Sequence, residues 1–412
     1  MTAAPSLRSL RALLRRGTAF PRRLVGGARF FLKLPRYEGV HMTPRRVLNC
    51  YLSRIEHGRL RTRLASYPIR LVVEPTNVCN LRCPACFTGD GQVGRARTPL
   101  AFDAYERLLA EVGPYLLQIE FCNWGEPLLA KQIVPMIAAA HRYGISTDAS
   151  TNLSVPLDAA GAEALVASGL DLLGVSLDGA RQETYEQYRI GGKIDLVLEN
   201  CRLLRDAKRR LGSRTPRMVW CFHAFPHNLG DVERAQAMAR DLDMDFAASK
   251  GWVVGAEWDP SGPWQIPSSP LPFPCLFLWA EAVVNNDGGV SPCCGTFYRE
   301  DDMGQLAVTL GAPGARTFRE VWNGPRFQAA RRLYRDRSAA TPEDRQRICY
   351  ECPTTIAWER WQAHRAAGGD ATTFDPGFTT NEGFNFFWNR RPADVGPDRR
   401  PRRAPTVAAP RG

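Results

Sequence analysis

Three cysteines lie close together in the stretch Glu74-Pro75-Thr76-Asn77-Val78-Cys79-Asn80-Leu81-Arg82-Cys83-Pro84-Ala85-Cys86, which begins where an apolar, β-rich run over residues 69–75 ends. Thiolates on one loop can face a common centre and hold three irons of a four-iron cluster, because soft sulfur is the usual ligand of such clusters. One iron then stays open to a bidentate ligand. A structural zinc site is the alternative, but zinc normally takes four protein ligands, commonly with two-residue spacers.

Strand-like and helix-like apolar runs alternate from this stretch onward. The pattern predicts strands over residues 69–75, 116–122, 145–150, 172–177, 218–225 and 246–254, and helices over residues 102–112, 132–143, 159–168, 194–211 and 232–242. Such alternation is typical of a parallel sheet with helices outside it and an active site at the C-terminal ends of the strands. Because six units are too few for a closed eightfold barrel, we expect an α/β fold with a partial (β/α)6 TIM-type barrel.

A second motif, Cys122-Asn123-Trp124-Gly125-Glu126-Pro127, ends the second predicted strand. Glycine lets a backbone approach a ligand closely, and a glutamate with neighbouring carbonyls can accept hydrogen bonds from a ligand ammonium. An ordinary strand-to-helix turn is the alternative for so short a motif. The position of the motif, one strand–helix unit after the cysteines, favours a ligand site.

Together the two motifs resemble those of the radical S-adenosylmethionine (SAM) superfamily, which has CxxxCxxC after the first strand and a GGE or GEP element after the second. The family often has an aromatic residue before the third cysteine, where this chain has Ala85, with Phe87 just after that cysteine. The resemblance implies that SAM binds the open iron of a catalytic [4Fe-4S] cluster held by Cys79, Cys83 and Cys86. It implies that the methionine amino group of SAM is bound by Gly125, Glu126 and Pro127.

Polar residues after the later strands extend the resemblance. Relatives contact SAM from the ends of the third and fourth strands, where this chain has Ser150, Asn152, Ser176 and Asp178. Arg189 lies in a Tyr-Arg-Ile-Gly-Gly segment similar to one in many relatives, and we expect it to bind the SAM carboxylate as a charge-assisted pair. His223 and Cys122 could serve the substrate from the barrel mouth, although a satisfied core residue is the alternative for both.

Four more cysteines follow a proline-rich stretch. Cys275 and Cys293 lie at the two ends of a hairpin predicted over residues 278–284 and 289–291, and a helix predicted over residues 318–333 precedes the pair Cys349 and Cys352. The hairpin can bring the first two thiols together, and the later pair can complete a four-thiolate site. This region resembles a SPASM domain in its single-cluster form, which implies an auxiliary [4Fe-4S] cluster, with Cys294 as a spare thiol or alternate ligand. A zinc site is the alternative.

The net charge of +12 is concentrated at the two chain ends. Residues 1–37 have nine basic and no acidic side chains, and residues 390–412 have seven arginines against two aspartates, so the core is almost neutral. We therefore expect no nucleic-acid partner. Residues 1–37 are expected either to lie on an anionic membrane surface or to form a disordered basic tail. No apolar run is long enough for a spanning helix, so we expect a cytoplasmic protein, peripheral at the membrane in the first case.

These patterns also predict the domain organisation. A basic N-terminal extension (1–42) precedes a lead-in helix (43–68), which Thr43 and Pro44 are expected to start. The radical SAM core (69–258) is followed by a linker (259–274) and a small SPASM-like auxiliary cluster domain (275–355). A C-terminal extension (356–412) is basic, and we expect it to be disordered at its end.

By the resemblance, the expected function is reductive cleavage of SAM to a 5′-deoxyadenosyl radical that abstracts hydrogen from a substrate, with a flavodoxin or ferredoxin as electron donor. The main expectation for the substrate is a small molecule, such as a sugar, a cyclitol or a lipid-linked compound, undergoing oxidation or rearrangement. Residues 1–68 lack the alternating strand pattern of a leader-binding domain, so peptide or protein modification is the alternative. Two non-enzymatic alternatives stay open: an iron-sulfur electron carrier and a zinc-stabilised binding module.

Overall fold

The computed structural model describes residues 39–251, 258–260, 273–306, 316–370 and 373–375. These residues belong to one of the two compact units of the chain, Glu38–Gly412. The predictions for the N-terminal basic segment, for most of the linker and for the C-terminal end fall outside the described residues. Within them, no helix is both long enough and apolar enough to cross a membrane.

The described strands form one open sheet of nine strands. They are β1 (Arg70–Val73), β2 (Gln118–Phe121), β3 (Ser146–Thr151), β4 (Leu172–Ser176), β5 (Arg217–Ala224), β6 (Asp245–Lys250), β7 (Glu281–Val284), β8 (Gly289–Ser291) and β9 (Gly304–Gln305). Their order is β6-β5-β4-β3-β2-β1-β7-β8-β9, parallel from β6 through β7 and antiparallel beyond. The α/β class and the open arrangement of six parallel core strands are confirmed. The end predicted for the sixth strand, residues 252–254, lies outside the described residues.

Helices cover one side of this sheet. The described ones are α1 (Pro44–Gly58), α2 (Phe102–Val112), α3 (Ile133–Arg142), α4 (Ala159–Ala167), α5 (Gln182–Tyr188), α6 (Ile194–Arg210), α7 (Val232–Asp241), α8 (Phe318–Trp322), α9 (Pro325–Leu333), α10 (Pro342–Arg345), α11 (Ile348–Glu351) and α12 (Pro353–Ala366). The Thr43 side chain caps α1 as expected, because its hydroxyl accepts a hydrogen bond from the amide of Arg46. The sequence pattern does not predict α5, whose residues show no apolar period.

The single helix expected over residues 318–333 is in fact two helices, α8 and α9. Gly324 has extended backbone angles and Pro325 begins the second helix. Proline lacks a backbone N–H and pushes the residue before it out of the helical region, so it can start a helix but cannot continue one. The prediction of one helix was therefore wrong at this point.

The two faces of the sheet differ in chemistry because alternate residues of a strand point to opposite sides. On one face Leu71, Val73, Ile119 and Phe121 are fully buried in the main apolar cluster with the covering helices. The other face, here called the polar face, has partly buried polar and thiol side chains: Arg70, Glu120, Cys122, Asp148, Ser150, Ser176, Cys221 and His223. A polar surface of this kind is suited to holding a polar ligand.

The hairpin of the later cysteine region extends the core sheet directly. β7 pairs in parallel with β1, with Arg70 opposite Glu281 and Val73 opposite Val284. A buried ion pair reinforces this junction, because the Arg95 side chain donates two hydrogen bonds to the carboxylate of Asp302, at 3.0 and 3.1 Å. The auxiliary region therefore has a fixed position relative to the cysteine loop that follows β1.

Candidate active site and cysteine centres

The loop after β1 gathers the three predicted thiols at the C-terminal edge of the sheet. Cys79, Cys83 and Cys86 are free thiols and pack in one small apolar cluster completed by Leu81, Ala85, Tyr188, Phe225 and Trp258. The loop curls back on itself, with the amide of Cys86 donating to the carbonyl of Cys83 at 3.2 Å. The structure therefore brings the three predicted thiols together on one curled loop, and their role as ligands of one cluster stays a prediction.

Each thiol of this loop has hydrogen-bond donors around its sulfur. The Cys79 sulfur accepts from the amide of Leu81 at 3.4 Å and from Asn152 Nδ2 at 3.7 Å. The Cys83 sulfur accepts from Arg189 Nη1 at 3.7 Å, and backbone amides after Cys86 surround its sulfur. Donors of this kind stabilise thiolate character, which the thiols need when they ligate a metal.

Burial opposes that ionisation. It raises the pKa of Cys79 to about 11 and the pKa of Cys86 to about 12, and it also raises the pKa of Cys83. The charges of the neighbouring thiols raise the pKa of Cys86 further. A bound cationic centre would reverse this balance, because a metal lowers the pKa of its sulfur ligands.

Gly125 is required for the packing of its own motif against the cysteine loop. A Cβ at this position would lie 1.8 Å from the carbonyl oxygen of Thr76, so only glycine lets the motif pack against the start of the cysteine loop. The amide of Glu126 also donates to the carbonyl of Val78 at 2.9 Å. The glycine thus brings two loops together, and the expected approach of its backbone to a ligand stays a prediction.

Glu126 is held in place by three donors of this chain. Its Oε1 accepts from the Thr151 hydroxyl at 2.6 Å and from the amide of Leu128 at 3.0 Å, and its Oε2 accepts from the amide of Asn152 at 2.7 Å. Burial raises the pKa of Glu126, and these hydrogen bonds counteract the rise. A carboxylate oxygen can accept two hydrogen bonds, so Oε2 keeps one position for a ligand donor. Pro127 follows as the first residue of a short 3-10 turn, Pro127–Leu129.

Asp178, Arg189 and His223 form one contact network. Asp178 is fully buried, its Oδ2 accepts from Arg189 Nε at 2.6 Å, and its Oδ1 accepts from the amide and Nδ1 of His223 at 2.7 and 2.9 Å. Burial alone would raise its pKa, but Arg189 and His223 hold the pKa of Asp178 to about 2. Asp178 therefore stays ionised and orients two neighbours, Arg189 and His223.

Cys122 lies elsewhere on the polar face. Burial, the charge of Glu120 and the nearby Cys294 raise its pKa well above the ordinary value. Glu120 itself pairs with Arg70, which also pairs with Glu281 at 2.9 Å. The structure therefore does not bring Cys122 to the Asp178 network, whereas it does bring His223 there. Ser150 and Ser176 line the polar face between these two groups.

The four later cysteines come together from three segments. Cys275 precedes β7, Cys293 follows β8, Cys349 lies in α11 and Cys352 precedes α12. Burial and the charge of Cys352 raise the pKa of Cys275 to about 12. The pKa of Cys293 is raised by burial and by the charges of the other cysteines in this region. In the described part of the chain, no three His, Cys, Asp or Glu side chains are arranged to hold a single metal ion.

Sequence reasoning missed a buried polar network between the two cysteine centres. Glu74, at the end of β1, accepts hydrogen bonds from the amide of Trp124 at 2.9 Å and from the amide of Asn286 at 3.4 Å. Burial raises the pKa of Glu74 to about 7, although Arg95 lowers it. A carboxylate directly after an apolar strand is the one sequence signal that could have indicated this network.

Two family models match the chain in the regions just described. The radical SAM superfamily model matches residues 73–219, and a model for an iron-sulfur cluster-binding domain, SPASM, matches residues 275–353. The chain belongs to the radical SAM superfamily, has a C-terminal SPASM domain, and is an enzyme. Its cofactors are accordingly SAM, a [4Fe-4S] cluster and an auxiliary iron-sulfur cluster.

Named relatives share parts of this chain. It is 36% identical over 129 residues to a GTP 3′,8-cyclase of Heliobacterium modesticaldum, covering 31% of this chain and 39% of that protein. It is 30% identical over 184 residues to a PqqA peptide cyclase of Gluconobacter oxydans, covering 43% and 48% respectively. The chain thus spans less than half the length of these relatives in the matched regions.

One solved structure supports the fold over a wider range. Streptococcus suis SuiB bound to SAM superposes with a TM-score of 0.51 at 15% identity, covering 76% of this chain and 78% of that chain. At this level of identity the similarity concerns the fold. The fold is therefore what the two proteins share over this range.

Proposed function

We propose that this enzyme uses SAM to start a radical modification of a peptide substrate. The observation behind the proposal is the cysteine loop and its attachment to Gly125 and Glu126, which brings three thiols and a buried carboxylate to one edge of the sheet. The residues present fit the cofactors. Three thiols with N–H donors suit a cluster that keeps one iron free for SAM, and four buried thiols suit a cluster whose four irons are all ligated by the protein. In this proposal Cys79, Cys83 and Cys86 hold the first cluster, and Cys275, Cys293, Cys349 and Cys352 hold the auxiliary cluster.

When bound, the first cluster supplies an electron that cleaves SAM to methionine and a 5′-deoxyadenosyl radical. The chain's own contribution is to bind and orient SAM and to exclude water. Glu126 Oε2 and the segment from Gly125 to Pro127 would receive the SAM ammonium, with Ser150, Asn152 and Ser176 nearby on the sheet edge. Asp178 contributes by orienting Arg189, because its Oδ2 accepts a hydrogen bond from Arg189 Nε at 2.6 Å.

His223 is the candidate group for handling a substrate proton. Its Nδ1 lies 2.9 Å from Asp178 Oδ1, which can only accept, and 3.4 Å from Arg189 Nη2, which can only donate. In this proposal the ring proton lies on Nδ1 and points to the nearer carboxylate, which leaves the lone pair of Nε2 available. About 30% of the side chain is exposed on the polar face. We therefore assign His223 as a proton acceptor there, and Cys122 as a second substrate-side group next to Glu120.

A peptide is favoured over a small molecule by the relatives. A PqqA peptide cyclase matches in sequence, and SuiB, whose structure with its precursor peptide SuiA is known, shares the fold. A small polar substrate is the second candidate, because GTP 3′,8-cyclases also match in sequence. The polar face would suit such a substrate, since it has three carboxylates and one arginine: Glu120, Asp148, Glu281 and Arg70.

Anaerobic reconstitution with iron and sulfide tests the enzymatic part of the proposal. We expect about eight irons per chain and formation of 5′-deoxyadenosine that depends on dithionite and SAM. Cluster formation without SAM cleavage would support an electron carrier, and zinc without iron would support a binding module. Either result would contradict the proposal.

The substrate class is tested by hydrogen transfer into 5′-deoxyadenosine. Cells of the source organism are grown in deuterated medium, and their extracts are separated into peptides and small molecules before incubation with enzyme, SAM and dithionite. We expect deuterium in 5′-deoxyadenosine only with the peptide fraction, and loss of this label after protease treatment. Label from the small-molecule fraction would establish the second candidate.

Two partner assignments belong to the same proposal. A flavodoxin or ferredoxin would supply the electron, and residues 1–37 would attach the enzyme to an anionic membrane through their nine basic side chains. Removal of residues 1–37 should then abolish binding to vesicles containing anionic lipid. Equal binding before and after the truncation would refute the membrane contact without affecting the SAM chemistry.

A further inference from the structure

The guanidinium of Arg189 contacts the sulfur of Cys83. Arg189 Nη1 lies 3.7 Å from Cys83 Sγ, a distance typical of an N–H···S hydrogen bond. The arginine side chain is only 14% exposed, so water competes little with this contact. The charged group is therefore directed at one of the three thiols of the cysteine loop.

Asp178 fixes the guanidinium in this position. Its Oδ2 accepts from Arg189 Nε at 2.6 Å, while its Oδ1 is occupied by the amide and ring of His223. The backbone of Asp178 is fixed in turn, because its carbonyl accepts from Asn228 Nδ2 at 2.9 Å. If Arg189 turned away, a fully buried carboxylate would lose its main cationic partner, which is costly. The contact with Cys83 is therefore held in place before any ligand binds.

The three thiols of the loop differ in the charge of their donors. Among the described residues, Cys79 accepts from a neutral amide side chain and a backbone amide, and backbone amides surround the sulfur of Cys86. Of the three thiols, Cys83 alone accepts from a cation in the described part of the chain. A charge-assisted hydrogen bond is roughly twice as strong as a neutral one, so Cys83 is the thiol whose electron density is most stabilised.

We propose that Arg189, oriented by Asp178, raises the reduction potential of the cluster by donating to the Cys83 thiolate. The inference rests on the ligand assignment of the proposed function. Reduction adds one electron from a low-potential donor such as a flavodoxin or ferredoxin, converts the cluster from the 2+ to the 1+ state, and makes or breaks no bond. The added negative charge spreads onto the sulfur ligands, where a fixed guanidinium stabilises it.

This role differs from binding of the SAM carboxylate. A group that only binds SAM changes the affinity for SAM and leaves the potential of the SAM-free cluster unchanged. A group that donates to Cys83 changes the potential in the absence of SAM. The potential of the SAM-free enzyme therefore separates the two roles.

The experiment is a redox titration of the reconstituted, full-length enzyme without SAM, followed by electron paramagnetic resonance. Arg189→Met removes donor and charge, and Arg189→Lys keeps the charge on a different geometry. We expect Arg189→Met to lower the ratio of reduced to oxidised cluster at fixed ambient potential by roughly tenfold. For a one-electron couple this means that the midpoint potential of the cluster becomes more negative by about 59 mV. Arg189→Lys should shift it less.

Arg181→Met provides the matched control. Arg181 also pairs with a buried aspartate, Asp231, at 2.7 Å, but about half of its side chain is exposed, and among the described hydrogen bonds and ion pairs it has none with the three thiols. We expect this variant to keep the wild-type potential. Equal potentials in Arg189→Met, Arg181→Met and the wild type, at equal iron content, would overturn the proposal.

A measurement on the unmodified protein covers the case in which Arg189→Met fails to assemble a cluster. Enzyme labelled with ¹⁵N-arginine is reduced, and pulsed electron paramagnetic resonance is used to find ¹⁵N coupling on the cluster signal that SAM perturbs. Observation of ¹⁵N coupling supports the contact between Arg189 and Cys83, and absence of the coupling overturns the proposal. If no signal responds to SAM at all, the proposed function itself is refuted, which distinguishes the two failures.

Discussion

The three cysteines of the loop after β1 come from one continuous segment, whereas the four later cysteines come from three segments that are distant in sequence. The first group needs only a tight loop and the close approach allowed by Gly125. The second group needs the hairpin β7–β8 to join β1 and needs α11 to pack against it. One centre is therefore defined by local sequence and the other by tertiary structure.

The two centres differ in surroundings as well as in construction. The loop after β1 has donors from outside itself, including the cation Arg189, and a partly free oxygen on Glu126. At the later centre, Tyr334 lies close to the thiols, and its hydroxyl accepts a hydrogen bond from the Thr355 hydroxyl at 3.0 Å. The first centre is thus equipped to bind and react, and the second to be enclosed by the protein.

The largest effect is expected when one thiol is removed from each centre, which tests whether the two centres have different functions. Cys83→Ala should reduce formation of 5′-deoxyadenosine to background, because an open-site cluster needs all three ligands. Cys349→Ala should lose about half of the iron and keep SAM cleavage. Iron analysis and chromatographic detection of 5′-deoxyadenosine measure both effects.

Cys201→Ala is the control for those variants, because Cys201 is a fully buried cysteine of α6 outside both centres. It should keep iron content and SAM cleavage. If Cys349→Ala abolished SAM cleavage as completely as Cys83→Ala, the division of labour between the two centres would be wrong.

The second prediction concerns the ion pair between the centres. Arg95→Met leaves the buried carboxylate of Asp302 without its cation, and we expect a loss of about 3–5 kcal/mol in the free energy of unfolding. Arg202→Met, which removes an exposed pair with Glu199 on α6, should cost about 0–1 kcal/mol. Thermal unfolding followed by circular dichroism measures the contrast. Equal melting temperatures for the two variants would show that the junction does not depend on Arg95.

A third prediction uses pH to examine the same junction. The pKa of Glu74 is raised to about 7 in the folded protein, against 4.5 for an unperturbed glutamate. The folded state therefore binds this proton more tightly than the unfolded state, so this contribution to stability falls as pH rises from 4.5 through 7. Glu74→Gln should remove that fall, at most about 3 kcal/mol. Melting temperatures at pH 5.5 and pH 8 test it, and an unchanged pH dependence in the variant would contradict it.

The smallest effect on stability is expected at Gly125. Gly125→Ala places a methyl group 1.8 Å from the carbonyl of Thr76, which should cost about 1–3 kcal/mol and move the cysteine loop. We expect weaker SAM binding, measured by equilibrium dialysis, with the cluster still present. Gly230→Ala, where a methyl group meets no atom within 4 Å, should leave SAM binding intact. Equal SAM affinity in both variants would mean that the loop contact is not needed.

The sequence predicts the local features of this fold well. The six core strands, the cap of α1 by Thr43 and the thiols of the first loop follow from short-range patterns that physical chemistry reads directly. What the sequence does not predict depends on distant contacts: β7 joining β1, Arg95 meeting Asp302, and Asp178 turning Arg189 toward Cys83. Gly125 shows the difference: the sequence predicts that a side chain at this position would obstruct a close approach, but it does not predict that Thr76 is the residue that approaches.

The central claim is that SAM binds at the loop after β1 and leaves the later centre untouched. Electron paramagnetic resonance of reduced Cys349→Ala/Cys352→Ala enzyme, recorded with and without SAM, tests it most directly. We expect one [4Fe-4S] signal that changes when SAM is added. A signal that responds to SAM in Cys83→Ala enzyme, and none that responds in the double variant, would contradict it.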